Sequence, residues 1–173
     1  MITLFETNNL VMRHLTELDF AEITLFTYDP DMRLPIKDAS ANEIVHWIMA
    51  QQDLYYQTRL GFYMALDKET GKTIGLIGLT PELHNHQMVV RLYHLFKPKY
   101  KESAYVGEAV SFLLDFVFTN YSIGEVVYDA IPMNKTTVQI ASRLRMKPEL
   151  VYNKHNSSES AHMVFVTTKD SFY

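Results

Sequence analysis

Residues 88–118 read MVVRLYHLFKPKYKESAYVGEAVSFLLDFVF, and this stretch decides the fold. Its first nine residues are mostly apolar and rich in β-branched and aromatic side chains, which predicts a strand over residues 88–96. Further along, apolar residues recur at the spacing of one helix face, and they are Val106, Val110, Leu113, Leu114 and Val117. The stretch therefore predicts a buried strand followed closely by an amphipathic helix.

The residues before this stretch predict a strand, two helices and a hairpin. Residues 10–15 have the composition of a strand. Thr16 and Ser40 each precede an acidic residue by three positions, which is typical of helix N-caps. Residues 62–66 and 73–79 flank a polar turn and predict a β-hairpin.

The remaining segments complete the order of elements. Residues 81–87 predict a polar loop, and residues 125–131 predict a strand. Asn134 predicts the N-cap of a further helix. Two closing strands are expected at residues 150–152 and 163–167, joined by a polar loop over residues 153–160. Hairpins followed by a strand–helix–strand unit indicate an α+β protein with a mixed sheet.

Composition bounds the class of protein. The 173 residues are 47% hydrophobic and 21% charged, without a linker-like tract or an internal repeat, so we expect one domain over residues 1–173. The net charge of −4 provides no electrostatic basis for a nucleic-acid partner. The absence of cysteine excludes disulfides, thiolate catalysis and cysteine-based zinc sites.

Targeting signals are not evident in the chain. Residues 1–10 have no basic region and carry Glu6 early, unlike a secretory signal. No apolar run reaches the roughly 18 residues that a membrane span requires. We therefore expect a cytoplasmic protein without a membrane partner.

Four short segments, in this order, carry a resemblance to a known family. They are ETNNLVMR at residues 6–13, KTIGLIGL at residues 72–79, Glu108-Ala109-Val110, and PMNKTT at residues 132–137. Together they resemble the GNAT (GCN5-related N-acetyltransferase) superfamily, and within it the branch of ribosomal-protein N-terminal acetyltransferases. The resemblance implies a mixed, mostly antiparallel sheet of roughly seven strands flanked by about four helices.

The resemblance also implies where acetyl-CoA would bind. In the family, the strand equivalent to residues 88–96 splays from its neighbour and pairs with the pantetheine arm. The next loop offers its amides to the pyrophosphate at a helix N-terminus, where unpaired N–H groups and the helix dipole attract an anion. The implied cofactor-binding residues are Leu95, Phe96, Lys101, Glu102, Ser103, Ala104, Tyr105, Val106 and Asn134.

The phosphate loop departs from the family pattern. Ala104 and Val106 stand where glycine, or glycine and alanine, are usual. All six glycines, at positions 61, 71, 75, 78, 107 and 124, lie outside residues 101–106. This departure motivates an alternative hypothesis, a catalytically impaired GNAT-fold protein that serves as a ligand-binding or interaction module.

The implied reaction is direct acetyl transfer to a primary amine of a small molecule or a protein N-terminus. It calls for a base on the amine and an acid on the leaving thiolate. The catalytic candidates are Thr137, where the family has serine, and His94; other possible acids and bases are Tyr128, Glu82, His84 and His86. A structural role is the competing interpretation for each, either at the surface or in the core.

Metal and partner expectations complete this interpretation. His84 and His86 could share a strand face, but no third ligand is evident in the sequence, so no metal is expected. The family resemblance makes a homodimer plausible, although the sequence carries no signature of one.

Overall fold

The computed structural model describes residues 5–30, 36–101, 104–129, 135–155 and 158–173. The elements are, in chain order, β1 (Phe5–Glu6), β2 (Leu10–His14), α1 (Phe20–Thr27), α2 (Ala41–Thr58), β3 (Gly61–Asp67), β4 (Thr73–His84), β5 (Gln87–Phe96), α3 (Ala104–Asn120), β6 (Glu125–Asp129), α4 (Lys135–Arg143), β7 (Lys147–His155), β8 (Ser158–Thr168) and α5 (Lys169–Phe172). Thr16 and Ser40 form the predicted capping boxes, with Asp19 and Glu43.

The strands form one sheet in the order β1-β2-β3-β4-β5-β6-β8-β7. Among the described strands, β5 and β6 run parallel and all other neighbours run antiparallel. The predicted α+β class and mixed sheet are therefore confirmed. The described residues form eight strands where roughly seven were expected. The short strand β1, which pairs with β2, was not predicted from the sequence.

Helices cover both faces of the sheet. On one face, Leu92, Phe96 and Tyr128 belong to a core shared with α3 and α4. On the other face, Met64 and Leu95 pack in a second core with α1 and α2. Neighbouring residues of β5 point to opposite faces, so the apolar run that predicted this strand is explained by burial on both sides. Each fully buried large apolar side chain contributes about 1.5–3 kcal/mol.

Two glycines of β4 are required by close approach of aromatic rings. A Cβ at Gly75 would lie 2.8 Å from Cγ of Phe96, well inside contact distance. A Cβ at Gly78 would overlap the ring of Phe62. The KTIGLIGL segment thus has its glycines where rings of the two neighbouring strands cross it.

The predicted polar loop over residues 81–87 is wrong, because β4 continues to His84 and turns directly into β5. Asn85 and His86 both have positive φ, 48° and 64°, and form the tight turn. Proline is tolerated at position 81 because β3 pairs with β4 only as far as Leu79, so that side of β4 is an edge. The polar residues that suggested a loop therefore occupy the end of the β4–β5 hairpin.

The predicted loop over residues 153–160 is also too long. The register of β7 and β8 runs to His155 opposite Ser158. A polar composition did not prevent pairing here, since ladder hydrogen bonds join main-chain groups whatever the side chains are.

The end of α4 keeps its cap without the glycine that is usual there. Arg145 has a φ of 56°, its N–H bonds the carbonyl of Ser142, and the N–H of Met146 bonds that of Ala141. This is the hydrogen-bond pattern of a Schellman motif. An arginine therefore occupies the left-handed position that the family gives to glycine.

Within the described ranges of the chain, no helix combines the length and the apolar character that crossing a membrane requires.

Candidate functional site

The site lies where two parallel strands diverge. β6 pairs with β5 only from Val90 to Leu92, and the last pair joins Leu92 to Tyr128. β4 meanwhile stays paired with β5 as far as Phe96. Within the described ranges, residues 93–96 of β5 therefore have a strand partner on the β4 side alone. The edge left on the β6 side offers main-chain groups to an extended ligand.

Three predicted candidates meet at this divergence on the face covered by α3 and α4. The hydroxyl of Tyr128 lies 3.0 Å from Nδ1 of His94. Tyr128 also shares a side-chain hydrogen bond with Thr137, in the first turn of α4. All three side chains are buried. They form one hydrogen-bonded chain, here called the buried relay, from β5 through β6 to α4.

The ionisation of the buried relay follows from its burial. Burial, and then the positive charge of Lys101, lower the pKa of His94 to about 4, so its imidazole is neutral at pH 7. Burial raises the pKa of Tyr128 well above its usual value, and its phenol keeps its proton. The buried relay therefore joins a neutral phenol to a neutral imidazole beside the strand divergence.

A second polar cluster lies on the opposite face of the same strands. Nε of Arg91 donates to Glu82 over 2.6 Å, and Nη1 of Arg91 reaches Asp129 at 3.5 Å. The hydroxyl of Tyr93 donates to the other oxygen of Glu82 over 2.8 Å. We call these four residues the carboxylate cluster. The cluster contains two carboxyl groups, one guanidinium and one phenol.

Electrostatics keep the guanidinium of Arg91 charged and the phenol of Tyr93 neutral. The hydrogen bond and the charge of Glu82 raise the pKa of Arg91, although burial acts against its charged form. Burial and the nearby Glu82 carboxylate raise the pKa of Tyr93. Only Glu82 of the four was singled out in the sequence. The signal for Arg91 was present, because a charged residue inside an apolar strand requires a partner.

A groove of about 700 Å³ runs along the outer side of α3 and α4. It begins at Ala104 and Gly107 in the first two turns of α3, and Ile140 of α4 packs beside Gly107. Arg143 lines it from α4, and Thr7 and Asn8 line it from the turn before β2. The groove therefore adjoins the helix N-terminus at which the sequence predicts the pyrophosphate.

The predicted phosphate-loop residues take different positions. Nζ of Lys101 lies 3.2 and 3.1 Å from the two carboxylate oxygens of Asp29. Ala104 is exposed and lines the groove, whereas Val106 is buried in the core. The predictions for Glu102, Ser103 and Asn134 lie outside the described residues.

Tyr105 ties the start of α3 to the β3–β4 hairpin. Its hydroxyl donates to Asp67 over 2.6 Å. The hydrogen bond from Tyr105, followed by those from Thr70, lowers the pKa of Asp67 to about 2. The hydrogen bond to Asp67 raises the pKa of Tyr105 to about 12. No local sequence pattern indicates this contact, because the two residues are 38 positions apart.

The other histidine candidates lie at the far end of β4. His84 is buried, not at the surface, and its Nε2 lies 3.0 Å from Oε1 of Glu149 on β7. His86 is exposed in the turn. Neither is adjacent to the strand divergence. The described residues contain no group of three His, Asp or Glu side chains suited to hold a metal ion.

Comparison with known proteins identifies the class. Residues 9–147 match the acetyltransferase (GNAT) domain family, and the chain belongs to that family. It is 25% identical over 155 residues to the uncharacterised protein YkkB of Bacillus subtilis (strain 168), covering 87% of this chain and 88% of that one. The family resemblance inferred from the sequence is thereby confirmed.

Solved structures agree on the fold. An acetyltransferase from Agrobacterium tumefaciens superposes with a TM-score of 0.73 at 20% identity, over 98% of this chain and 95% of that one. RimL, a ribosomal L7/L12 alpha-N-protein acetyltransferase solved in complex with coenzyme A, gives a TM-score of 0.71 at 10% identity, with 95% and 97% covered. At these identities the likeness concerns the fold alone.

Proposed function

We propose that this protein transfers an acetyl group from acetyl-CoA to a primary amine, on a small molecule or a protein N-terminus. The observation that carries the proposal is the divergence of β5 and β6 with the buried relay on one face and the carboxylate cluster on the other. The two polar groups lie on opposite faces of the same opening. A donor and an acceptor entering from opposite sides would meet between them.

The chain offers a place for each part of acetyl-CoA. Bound acetyl-CoA supplies an activated acetyl thioester. The free edge of β5, including Leu95 and Phe96, would hold the extended pantetheine arm by main-chain hydrogen bonds. Residues 101–106 at the start of α3 would hold the pyrophosphate, and Asn134 would lie beside the thioester.

Different residues around the divergence carry out the two proton transfers of the proposed reaction. The amine nitrogen bonds the acetyl carbon while the carbon–sulfur bond breaks. Glu82 accepts the amine proton, directly or through a water, on the face of the carboxylate cluster. Tyr128 donates its proton to the leaving sulfur, and His94 and Thr137 hold its hydroxyl in place. The roles of Thr137 and His94 are thus positioning roles for the proton donor.

Calorimetric titration with acetyl-CoA, followed by a thiol-release assay on a panel of amines, tests the proposal. The panel contains a polyamine, an amino acid and a short peptide with a free N-terminus. We expect binding and release of one thiol per acetylated amine. No binding at millimolar acetyl-CoA would refute the proposal. Binding without turnover on every amine would favour the alternative, a ligand-binding module.

A cytoplasmic location and possible homodimerisation belong to the same proposal. The proposed reaction requires acetyl-CoA and an amine on a small molecule or a protein N-terminus, and a cytoplasmic protein would meet both. Size-exclusion chromatography with light scattering measures the oligomeric state directly.

A further inference from the structure

A row of three aromatic rings lies on the face of the sheet that carries the carboxylate cluster. The ring centroid of Phe62 on β3 lies 5.2 Å from that of Trp47 on α2 and 5.9 Å from that of Tyr93 on β5. Phe62 and Tyr93 pair with the same residue of β4, Gly78, from its two sides. We call Trp47, Phe62 and Tyr93 the ring row, and it leads from α2 to the carboxylate cluster.

The shape of the ring row depends on Gly78. The ring of Phe62 occupies the space that a Cβ at position 78 would take, so it lies across β4 toward Tyr93. Phe62 is buried, whereas Trp47 and Tyr93 are half-buried and keep part of their ring surface accessible. The row therefore offers aromatic surface to a ligand at both of its ends.

Charged groups surround only the Tyr93 end of the row. The hydroxyl of Tyr93 donates to Glu82 over 2.8 Å, and the guanidinium carbon of Arg91 lies 6.0 Å from the centroid of the Tyr93 ring. An ammonium group at this end would be attracted by the carboxylate of Glu82. A second ammonium group on the same molecule would be repelled by the guanidinium of Arg91. This arrangement suits a molecule with a single amine and an aromatic body.

We propose that the acceptor of this protein is an arylalkylamine, whose aromatic body packs against the ring row while its primary amine reaches Glu82. The inference rests on the proposed acetyl-transfer function and names its acceptor class; the products are the N-acetylated arylalkylamine and free coenzyme A. Burying one benzene ring against the row corresponds to about 10- to 100-fold in affinity over an amine without a ring.

The fluorescence of Trp47 measures binding at the ring row directly, because it is the only tryptophan of the chain. Titration of wild type with 2-phenylethylamine should change this fluorescence, and 2-phenylethylamine should bind at least about 10-fold more tightly than spermidine, a polyamine without a ring. In the thiol-release assay with acetyl-CoA, kcat/KM for 2-phenylethylamine should exceed that for spermidine by a similar factor. Both comparisons use the wild-type protein and do not depend on a variant.

Trp47→Leu tests the ring row, since it removes the indole and keeps an apolar side chain in the core. We expect kcat/KM for 2-phenylethylamine to fall by about 5- to 10-fold, and that for 2-aminoethanol to stay within about 2-fold of wild type. Tyr56→Leu is the matched control, because Tyr56 is an exposed aromatic residue of the same helix outside the ring row. It should leave kcat/KM for both amines unchanged.

The outcomes separate this inference from the proposed function. If wild type acetylates spermidine as well as 2-phenylethylamine, or if Trp47→Leu lowers kcat/KM for both of its test amines by the same factor, the acceptor class is wrong and acetyl transfer stands. If 2-phenylethylamine binds and no amine is acetylated, the ligand class holds and acetyl transfer falls. If 2-phenylethylamine neither binds nor reacts, the inference is overturned.

Discussion

Tyr128 holds its hydroxyl between His94 and Thr137, and this arrangement makes it the proton donor to test first. We expect Tyr128→Phe to lower kcat by about 100-fold, because a general acid is lost, with acetyl-CoA affinity nearly unchanged. The free energy of unfolding should fall by about 1–2 kcal/mol, because the buried side chains of His94 and Thr137 each lose a hydrogen-bond partner. Steady-state kinetics and urea denaturation measure the two effects.

Tyr63→Phe is the matched control for that variant. Tyr63 is equally buried, and its hydroxyl donates to the carbonyl of Arg59, away from the strand divergence. A similar loss of stability with unchanged kcat is expected. Equal losses of kcat in the two variants would show that Tyr128 acts only through stability.

His94 makes stability depend on pH. Its folded pKa of about 4 lies below the ordinary 6.5, so the unfolded chain binds more protons between these values. The stabilisation that the neutral His94 contributes to the folded state is complete above pH 6.5, and it is lost as the pH falls toward 4. We expect the free energy of unfolding of wild type, relative to His94→Gln, to fall by on the order of 3 kcal/mol from pH 7.5 to pH 4.

Urea titrations of both proteins at several pH values measure this difference. Subtracting the free energy of unfolding of one protein from that of the other cancels the contribution of the carboxylates, because these titrate alike in both proteins. A pH-independent difference would mean that the imidazole is hydrated in the folded protein.

At the scale of elements, the end of α4 is strained by a single side chain. Arg145 takes the left-handed conformation, which costs a non-glycine residue roughly 1–2 kcal/mol. We expect Arg145→Gly to raise the free energy of unfolding by about 0.5–1 kcal/mol, the remainder being offset by the freer unfolded chain. The midpoint of chemical denaturation measures the gain.

Arg143→Gly is the control, and it should change the free energy of unfolding in the opposite direction. Position 143 is the last helical residue of α4, where glycine should lower stability by up to about 1 kcal/mol. Lower stability in Arg145→Gly as well would mean that the arginine side chain makes a stabilising contact that outweighs the strain.

The predicted elements agree with the structure where burial alone determines them. The strand from residue 88 and the helix that follows it have regular apolar patterns, and both form as predicted. The loop prediction for residues 81–87 was wrong because their polar side chains and proline are typical of loops, whereas main-chain pairing with residues 87–90 makes residues 81–84 part of a strand. Main-chain pairing of this kind is invisible to side-chain periodicity.

For the whole molecule, the sheet separates the proposed donor and acceptor sides. We expect Glu82→Gln to lower kcat/KM for the amine by about 100-fold, because the proposed base on the acceptor face is lost, with the Kd of acetyl-CoA within about 2-fold of wild type. Steady-state kinetics with varied amine, together with calorimetry for acetyl-CoA, measures both quantities.

Glu149→Gln is the control for charge on the same region of the sheet. Glu149 bonds His84 and Asn85 at the hairpin tip, so amine kinetics should not change. If Glu82→Gln weakens acetyl-CoA binding as strongly as amine turnover, the two faces do not have separate roles.

The sequence by itself determined the α+β class, the capped helices, the central strand and helix, and the GNAT family. These features depend on local patterns and on short segments in order. The tertiary structure alone decided that Tyr128 links His94 to Thr137 and that Arg91 meets Glu82 and Asp129. His94 and Tyr128 are 34 positions apart, and only the register and divergence of β5 and β6 bring them together. Contacts of that kind depend on pairing between distant strands, and no local pattern of side chains encodes them.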